Sequence, residues 1–412
     1  MFRKLFVLSV ILILPGLLQA REIISGQNAL HVRELKKGVD SWNRWREANP
    51  RVRPDLKGAH LENVNLDGAN LKNTTFGGRY QANRNDWRDC KIKNASFKGA
   101  NLEGATFEGC YIEDSRFDNA KLSDASFDSD GHNYQTRIVN VHFDGARMVR
   151  VNLCDVKFGN AWFIGADMRR AQIKRVENYK YNSKLDFTNA VLTFSDFYMS
   201  TLKETKFTNA KLILAKFSGV KFEKANFYNA NMRSATLTSM EDLGGTRFEK
   251  VNLIRANLNG ATLRNTRFNR SDLSEASLSP VYCYGRVNFN SSKLFNTNFK
   301  NARLQGAWLQ FTKIDTANFQ SAHLERTSFR HATIYESTFF YAKLQSSDFY
   351  KALLMGGDWR GANVQNASFK QATLAGNSKG AGNGTLIKDA MRNTDSADFT
   401  GTRYRSRYKK RR

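Results

Sequence analysis

The chain is predicted to be an all-β parallel solenoid, a rod of short sides and corners, from three observations. A large apolar residue recurs at every fifth position from Leu56 onward for roughly 320 residues. A small residue stands two places before each of them, and Gly, Asn, Asp, Ser and Thr fill most other positions. The run Phe97, Leu102, Phe107, Ile112, Phe117, Leu122, Phe127 shows the rule, with Ala95, Ala100, Ala105, Cys110, Ser115, Ala120 and Ala125 ahead of each. A period of five fits neither a helix nor a plain strand, because one would scatter these residues around its axis and the other would send them to alternate faces. The chain can point them all inward only by turning between repeats, which is what the turn-forming residues supply.

The elements follow in order. Residues 1–20 carry a basic start (Arg3, Lys4), an apolar core from Leu5 to Leu14, a Pro15-Gly16 break and a Leu18-Gln19-Ala20 end. This reads as a secretory signal peptide cleaved after Ala20, with an uncleaved anchor as the alternative; the core is short for a membrane span of about 20 residues. Residues 21–55 are expected to form a helical cap. Leu35, Val39 and Trp42 share a helical face and would cover the open backbone edge of the first coil. Residues 56–374 are the solenoid. Residues 375–402 hold a Gly-rich break, a short helix-like stretch from Leu386 to Arg392 and one last repeat at Phe399, and 403–412 form a basic tail.

The form Ala-Asn/Asp-Leu/Phe, as in Ala69-Asn70-Leu71, Ala100-Asn101-Leu102, Ala225-Asn226-Phe227, Ala317-Asn318-Phe319 and Ala397-Asp398-Phe399, resembles the pentapeptide-repeat family. The resemblance implies a right-handed quadrilateral β-helix with four repeats per coil. Its members include proteins that shield type II topoisomerases by imitating DNA, others delivered into hosts, and others kept in the bacterial envelope. Imitating DNA requires an acidic exterior, and this chain has a net charge of +26.

Interruptions set the frame. Counting 76 to 92 as three sides, 127 to 138 as two, 173 to 187 as three, and 237 to 248 and 278 to 289 as two each puts the central aromatics on alternate sides, with Phe143, Phe163 and Phe222 as exceptions. From Leu56 to Leu374 this gives about 64 sides, hence about 16 coils and roughly 77 Å of rod.

On this frame one side is strongly basic. Its outward residues include Arg147, Arg150, Arg169, Arg170, Arg247, Lys250, Arg267 and Arg270, a column of cations able to track an anionic partner. The adjacent side carries Ile213, Ile254, Phe295, Tyr335 and Met355 at outward positions, with Phe194 and Leu214 beside them. They make a broken apolar stripe suited to a partner or a second copy in a homodimer. Eight acids fall between 101 and 130, against Arg116 and Lys121. The interruptions are aromatic and basic: Arg79-Tyr80, Arg84 and Trp87-Arg88, then Tyr179-Lys180-Tyr181, then Tyr282-Cys283-Tyr284 with Arg286.

Cys90 and Cys110 occupy small inward positions one coil apart, with Cα atoms expected near 4.8 Å. That distance admits a disulfide. Side chains in stacked parallel register point the same way, which favours two reduced thiols instead.

The six histidines are dispersed and no glycine-rich phosphate loop follows a strand, so no catalytic residues, cofactor or metal site are expected. The expected protein is a non-catalytic exported scaffold, periplasmic or extracellular, presenting its basic surface to an anionic envelope component, a membrane surface or an acidic protein. The alternative is a secreted effector docking a host protein or membrane. A nucleic-acid-binding or topoisomerase-modulating role fits less well, since the leader removes the chain from that compartment.

Overall fold

A computed structural model describes residues 23–25, 28–77, 90–128, 135–178, 183–240, 243–376 and 387–405. The leader expected over 1–20, the aromatic interruptions at 79–88 and 179–181, and the tail beyond 405 lie outside the described residues.

Each repeat makes one short side. Around Phe207, for example, the central ring points inward and is fully buried, and the flanking Lys206 and Thr208 face out. Lys206 N donates to Leu185 O in the coil before (3.0 Å), and Phe207 N donates to Asn226 O in the coil after (2.7 Å). Two residues beyond the centre the chain turns its corner at positive φ, as at Asn209 (57°) and Asn229 (58°). Asn and Gly reach this region at least cost, which explains their frequency. Asn amides then ladder from coil to coil, Asn229 Nδ2 donating to Asn209 Oδ1 (2.9 Å) and Asn209 Nδ2 to Asn189 Oδ1 (3.1 Å). At several small inward positions a hydroxyl donates to a carbonyl, of the preceding coil at Thr297 (Leu273 O, 2.9 Å) and Ser200 (Ile173 O, 2.7 Å) and of its own coil at Ser195 (Leu192 O, 2.7 Å).

Four walls result, a right-handed parallel β-helix of square section with about 14 turns. The first wall holds Leu61, Ile92, Ile112, Ile138, Phe158 and their successors to Val364. On the second stand Phe97, Phe117, Phe143, Phe163, Phe187, Phe207, Phe227, Phe248, Phe268 and Phe289, an unbroken stack with ring centroids 4.6–5.1 Å apart. The third holds Leu, Met and Ile, and the fourth mixes Phe with Leu and Ile.

The coil count is lower than the roughly 16 expected because the interruptions advance the chain by fewer sides. Ile92 pairs over Leu61 and Phe107 stacks over Phe76, so the chain advances one side from 76 to 92, not three. Ile138 lies over Ile112, so 127 to 138 is one side, and 173 to 187 is two. Phe143 and Phe163 thereby join the second-wall stack and cease to be exceptions. With 4.7 Å between residues one coil apart at Cys90 and Cys110, the turns span roughly 66 Å.

The N-terminal end of the rod is capped. The expected single helical face is split between two helices, α1 (Ala29–Lys36) and α2 (Val39–Ala48), turned at Gly38 with φ 93°. Trp42 is fully buried and its indole donates to Asn70 O (2.9 Å); Asn43 donates to Gly68 O, and Arg46 to Lys72 O (3.2 Å). The cap thus satisfies carbonyls that the first coil would leave bare. A strand, Ile23–Ser25, pairs antiparallel with His60–Glu62 and covers another part of that edge. At the far end the expected helix is a 3-10 turn, Lys388–Ala390, and Phe399 stacks on Phe369 at 4.9 Å. Arg403–Arg405 pairs in parallel with Thr373–Ala375, so the first residues of the expected tail belong to the rod.

Candidate anion-binding walls

The eight cations expected in one column occupy two walls. Bridges align Lys121, Arg147 and Asp167, which puts Arg147, Arg150, Arg169 and Arg170 on the third wall. Asn226, Arg247, Arg267 and Asn288 align on the second, with Lys250 and Arg270 at its corner. The split arises between 173 and 187, where the chain advances two sides and the expected frame counts three.

The third-wall group is partly neutralised. Arg150 forks onto Asp124 with two 2.6 Å bonds, and Arg169 onto Asp167 at 2.8 and 2.7 Å. These hydrogen bonds hold both carboxyls below their ordinary range and raise both guanidiniums. The acidic run behaves alike: Glu103 pairs with Lys72, Glu113 with Lys93 and Asp118 with Arg116.

On the second wall the balance is different. From Lys206 to Lys370 its outward positions hold Lys206, Arg247, Lys250, Arg267, Arg270, Arg330, Lys351 and Lys370 against Glu249 and Asp348. Lys206 pairs with Asp186 on the preceding coil, Arg247 with Glu249 and Arg330 with Asp348. Among the described residues, Lys250, Arg267, Arg270, Lys351 and Lys370 have no ion pair. Aromatic rings interleave with these cations. Arg247 and Lys250 each lie 5.1 Å from the Tyr228 ring centroid, and Lys250 Nζ donates to Tyr228 Oη (2.7 Å). Arg330 and Lys351 lie 4.5 and 5.1 Å from Tyr350, and Arg286 lies 5.7 Å from Trp308. A shallow depression of about 240 Å3 opens at the corner with the third wall, lined by Lys250, Arg270, Ser291, Lys293, Asp272 and Ile254.

The apolar positions do share the third wall. Phe295, Asp315, Tyr335, Met355 and Ala375 are consecutive in one ladder, with Ile213 and Ile254 on earlier coils. Met355 is only 7% exposed and presents little surface, whereas the corner residues Phe194 (50%) and Leu214 (42%) stand well out.

Cys90 and Cys110 are joined as a disulfide. Parallel Cβ directions do not prevent it, because the two thiols rotate toward one another. Cys154 and Cys283 are buried and free, and burial pushes both thiols up. Asp118, His142 and Asp144 bring ligand atoms within 4.8 Å of one another on the second wall. Spacing along the chain hides this group, since Arg116 and His142 are neighbours across a coil lengthened by a loop. Both Asp118 oxygens are taken by Arg116, at 2.8 and 3.0 Å.

Comparison with known proteins finds the description "Pentapeptide repeats" in eight copies over residues 54–78, 88–128, 136–170, 202–238, 242–279, 285–320 and 317–356. No curated protein matches the chain. Among solved structures it is similar to HetL, a pentapeptide repeat protein involved in heterocyst differentiation regulation in the cyanobacterium Nostoc (22% identity, TM-score 0.24, covering 65% of this chain and 88% of that one). It is also similar to full-length QnrB1, a plasmid-mediated fluoroquinolone resistance protein (15%, TM-score 0.22, 53% and 85%). A third is a pentapeptide repeat protein of the Arabidopsis thaliana thylakoid lumen (20%, TM-score 0.17, 36% and 86%). With eight repeat matches spread over more than half its length, on a four-walled coil built from those repeats, the chain belongs to the pentapeptide-repeat family.

Proposed function

We propose that this protein is an exported, non-catalytic scaffold whose second wall binds an anionic component of the cell envelope. The observation that carries the reading is the outward charge of that wall: eight cations against two acids over about half the rod, five of them without an ion pair among the described residues. Neighbouring coils are 4.7 Å apart at the cystine. Cations on adjacent coils therefore lie within the roughly 8 Å screening length of physiological salt, and an extended polyanion relieves their mutual repulsion. Export rests on the leader-like residues 1–20 and fits a cystine in the first coils.

The test uses polygalacturonate, polyphosphate and anionic phospholipid vesicles as three presentations of negative charge. If five cations engage, affinity falls about a hundredfold between about 50 and 200 mM salt. Binding that ignores salt, or no binding to any of the three, overturns the reading. Mass spectrometry of the protein accumulated in cells tests export: a start at Arg21 agrees with it, and an intact Met1 opposes cleavage.

A further inference from the structure

We infer that the ligand of the second wall is an acidic polysaccharide, a chain of uronate-type sugars lying along the rod between Tyr228 and Tyr350; this rests on the anion-binding reading above. A bare polyanion asks only for cations. This face offers three more features, each suited to a sugar ring that carries a carboxylate.

The first is the pairing of rings with cations. Tyr228 has Arg247 and Lys250 against it, and Tyr350 has Arg330 and Lys351. A pyranose places its apolar C–H face on an aromatic surface while its carboxylate stands at the ring edge, so recognition needs an aromatic platform with a guanidinium or ammonium beside it. Both tyrosines provide this, six coils apart, roughly 28 Å, a length that suits an oligosaccharide and exceeds a single sugar.

The second is the row between them. Asn269, Asn290 and Gln310 occupy successive outward positions, and carboxamides match hydroxyls because both donate and accept. Asn290 Oδ1 accepts from Gln310 N (2.9 Å) and Gln310 Nε2 donates to Ser328 Oγ (3.1 Å), which leaves the Asn290 Nδ2 donor and the Gln310 Oε1 acceptor for a sugar hydroxyl.

The third is Phe311. It is 56% exposed and sits at a corner with φ 57°, where Asn or Gly is the low-cost occupant. His331, at φ 56° on the next coil, stacks against it at 4.9 Å with the planes 5° apart, and Tyr350 meets His331 edge-on. Two bulky rings held in left-handed backbone at the surface do nothing for the core, and their alignment makes an aromatic platform that runs from Phe311 through His331 to Tyr350.

The experiment compares polygalacturonate oligomers with polyphosphate and single-stranded DNA of similar charge, using the full chain. Replacing Tyr228 and Tyr350 together by Ala should weaken polygalacturonate binding about tenfold and leave polyphosphate binding within about twofold, since the cations remain. Phe311→Asn suits the corner backbone, so misfolding cannot explain its effect; it should weaken polygalacturonate severalfold while the melting temperature holds or rises. Tyrosine variants that bind polygalacturonate as well as the parent overturn the inference. So does a parent that prefers polyphosphate or DNA. In both cases salt-dependent anion binding survives, and only the loss of all three interactions removes the broader reading as well.

Discussion

Replacing Phe207 by alanine should open the rod locally and leave its ends untouched. The ring is fully buried and stacked between Phe187 at 5.1 Å and Phe227 at 4.7 Å, with Phe197 and Phe217 edge-on at 5.8 and 6.1 Å. Truncating a buried Phe costs about 3–5 kcal/mol, and each lost ring pair adds about 0.5–1.5 kcal/mol, so about 4 kcal/mol is a conservative figure. Phe399 is half-buried and stacks only on Phe369 at 4.9 Å, so its removal should cost about 1–2 kcal/mol. Coils touch only their neighbours, and the penalty falls on the few that surround the cavity. Hydrogen exchange read by mass spectrometry separates these expectations. In Phe207→Ala the amides of the coils around residues 187, 207 and 227 should exchange about a thousandfold faster, while those near Phe319 keep their parental rates. Uniform acceleration along the rod would refute the nearest-neighbour argument, and less than about tenfold at the cavity would refute the packing argument.

Further expectations concern the cap, the cystine and one ion pair. Trp42→Ala removes a buried indole and its bond to Asn70 O; it should cost about 4 kcal/mol and expose a coil edge that self-associates, so light scattering that stays monomeric would contradict the capping role. Reducing Cys90–Cys110, which closes a 20-residue separation, should lower stability by about 3 kcal/mol, and an unchanged denaturation midpoint would show that the bond contributes nothing. Asp167, held below the usual carboxylate range by Arg169, contributes stability that is present above the unfolded carboxyl's value of about 4 and is lost as pH falls through the lowered folded value. Arg169→Gln should therefore move the Asp167 titration upward in carboxyl NMR, and an unmoved titration would deny the pair.

The coil was legible because its inward set is one residue in five, with an Ala-sized residue two places earlier, and no other fold needs that pattern. The frame was less so. The interruptions do not respect the five-residue step, so the number of sides between Phe76 and Ile92 cannot be read from their separation. Phe143 and Phe163 carried the only warning, as aromatics on a side that otherwise lacked them. A grouping that joins residues from either side of such an interruption, as the cation column does, fails on the true frame. Arg150 meets Asp124 across a coil lengthened by residues 129–134, and a uniform period of 20 would have paired it with Asp130. Ile213, Ile254, Phe295, Tyr335 and Met355 fall on one wall because the repeat keeps its count of sides between them. The stack of Phe311 on His331 lies at one corner position one coil apart and is consistent with the repeat, whereas Tyr350 joins it from the neighbouring outward position of the next repeat, a contact that no fixed spacing announces.

The most direct test of the central claim reverses charge on one wall at a time. Lys250→Glu, Arg267→Glu and Arg270→Glu together should abolish polygalacturonate binding at about 50 mM salt, while Arg147→Glu with Arg170→Glu on the third wall should leave it within about threefold. Equal loss from both sets would mean that net charge, and no particular wall, attracts the ligand; full binding by the second-wall variant would contradict the account.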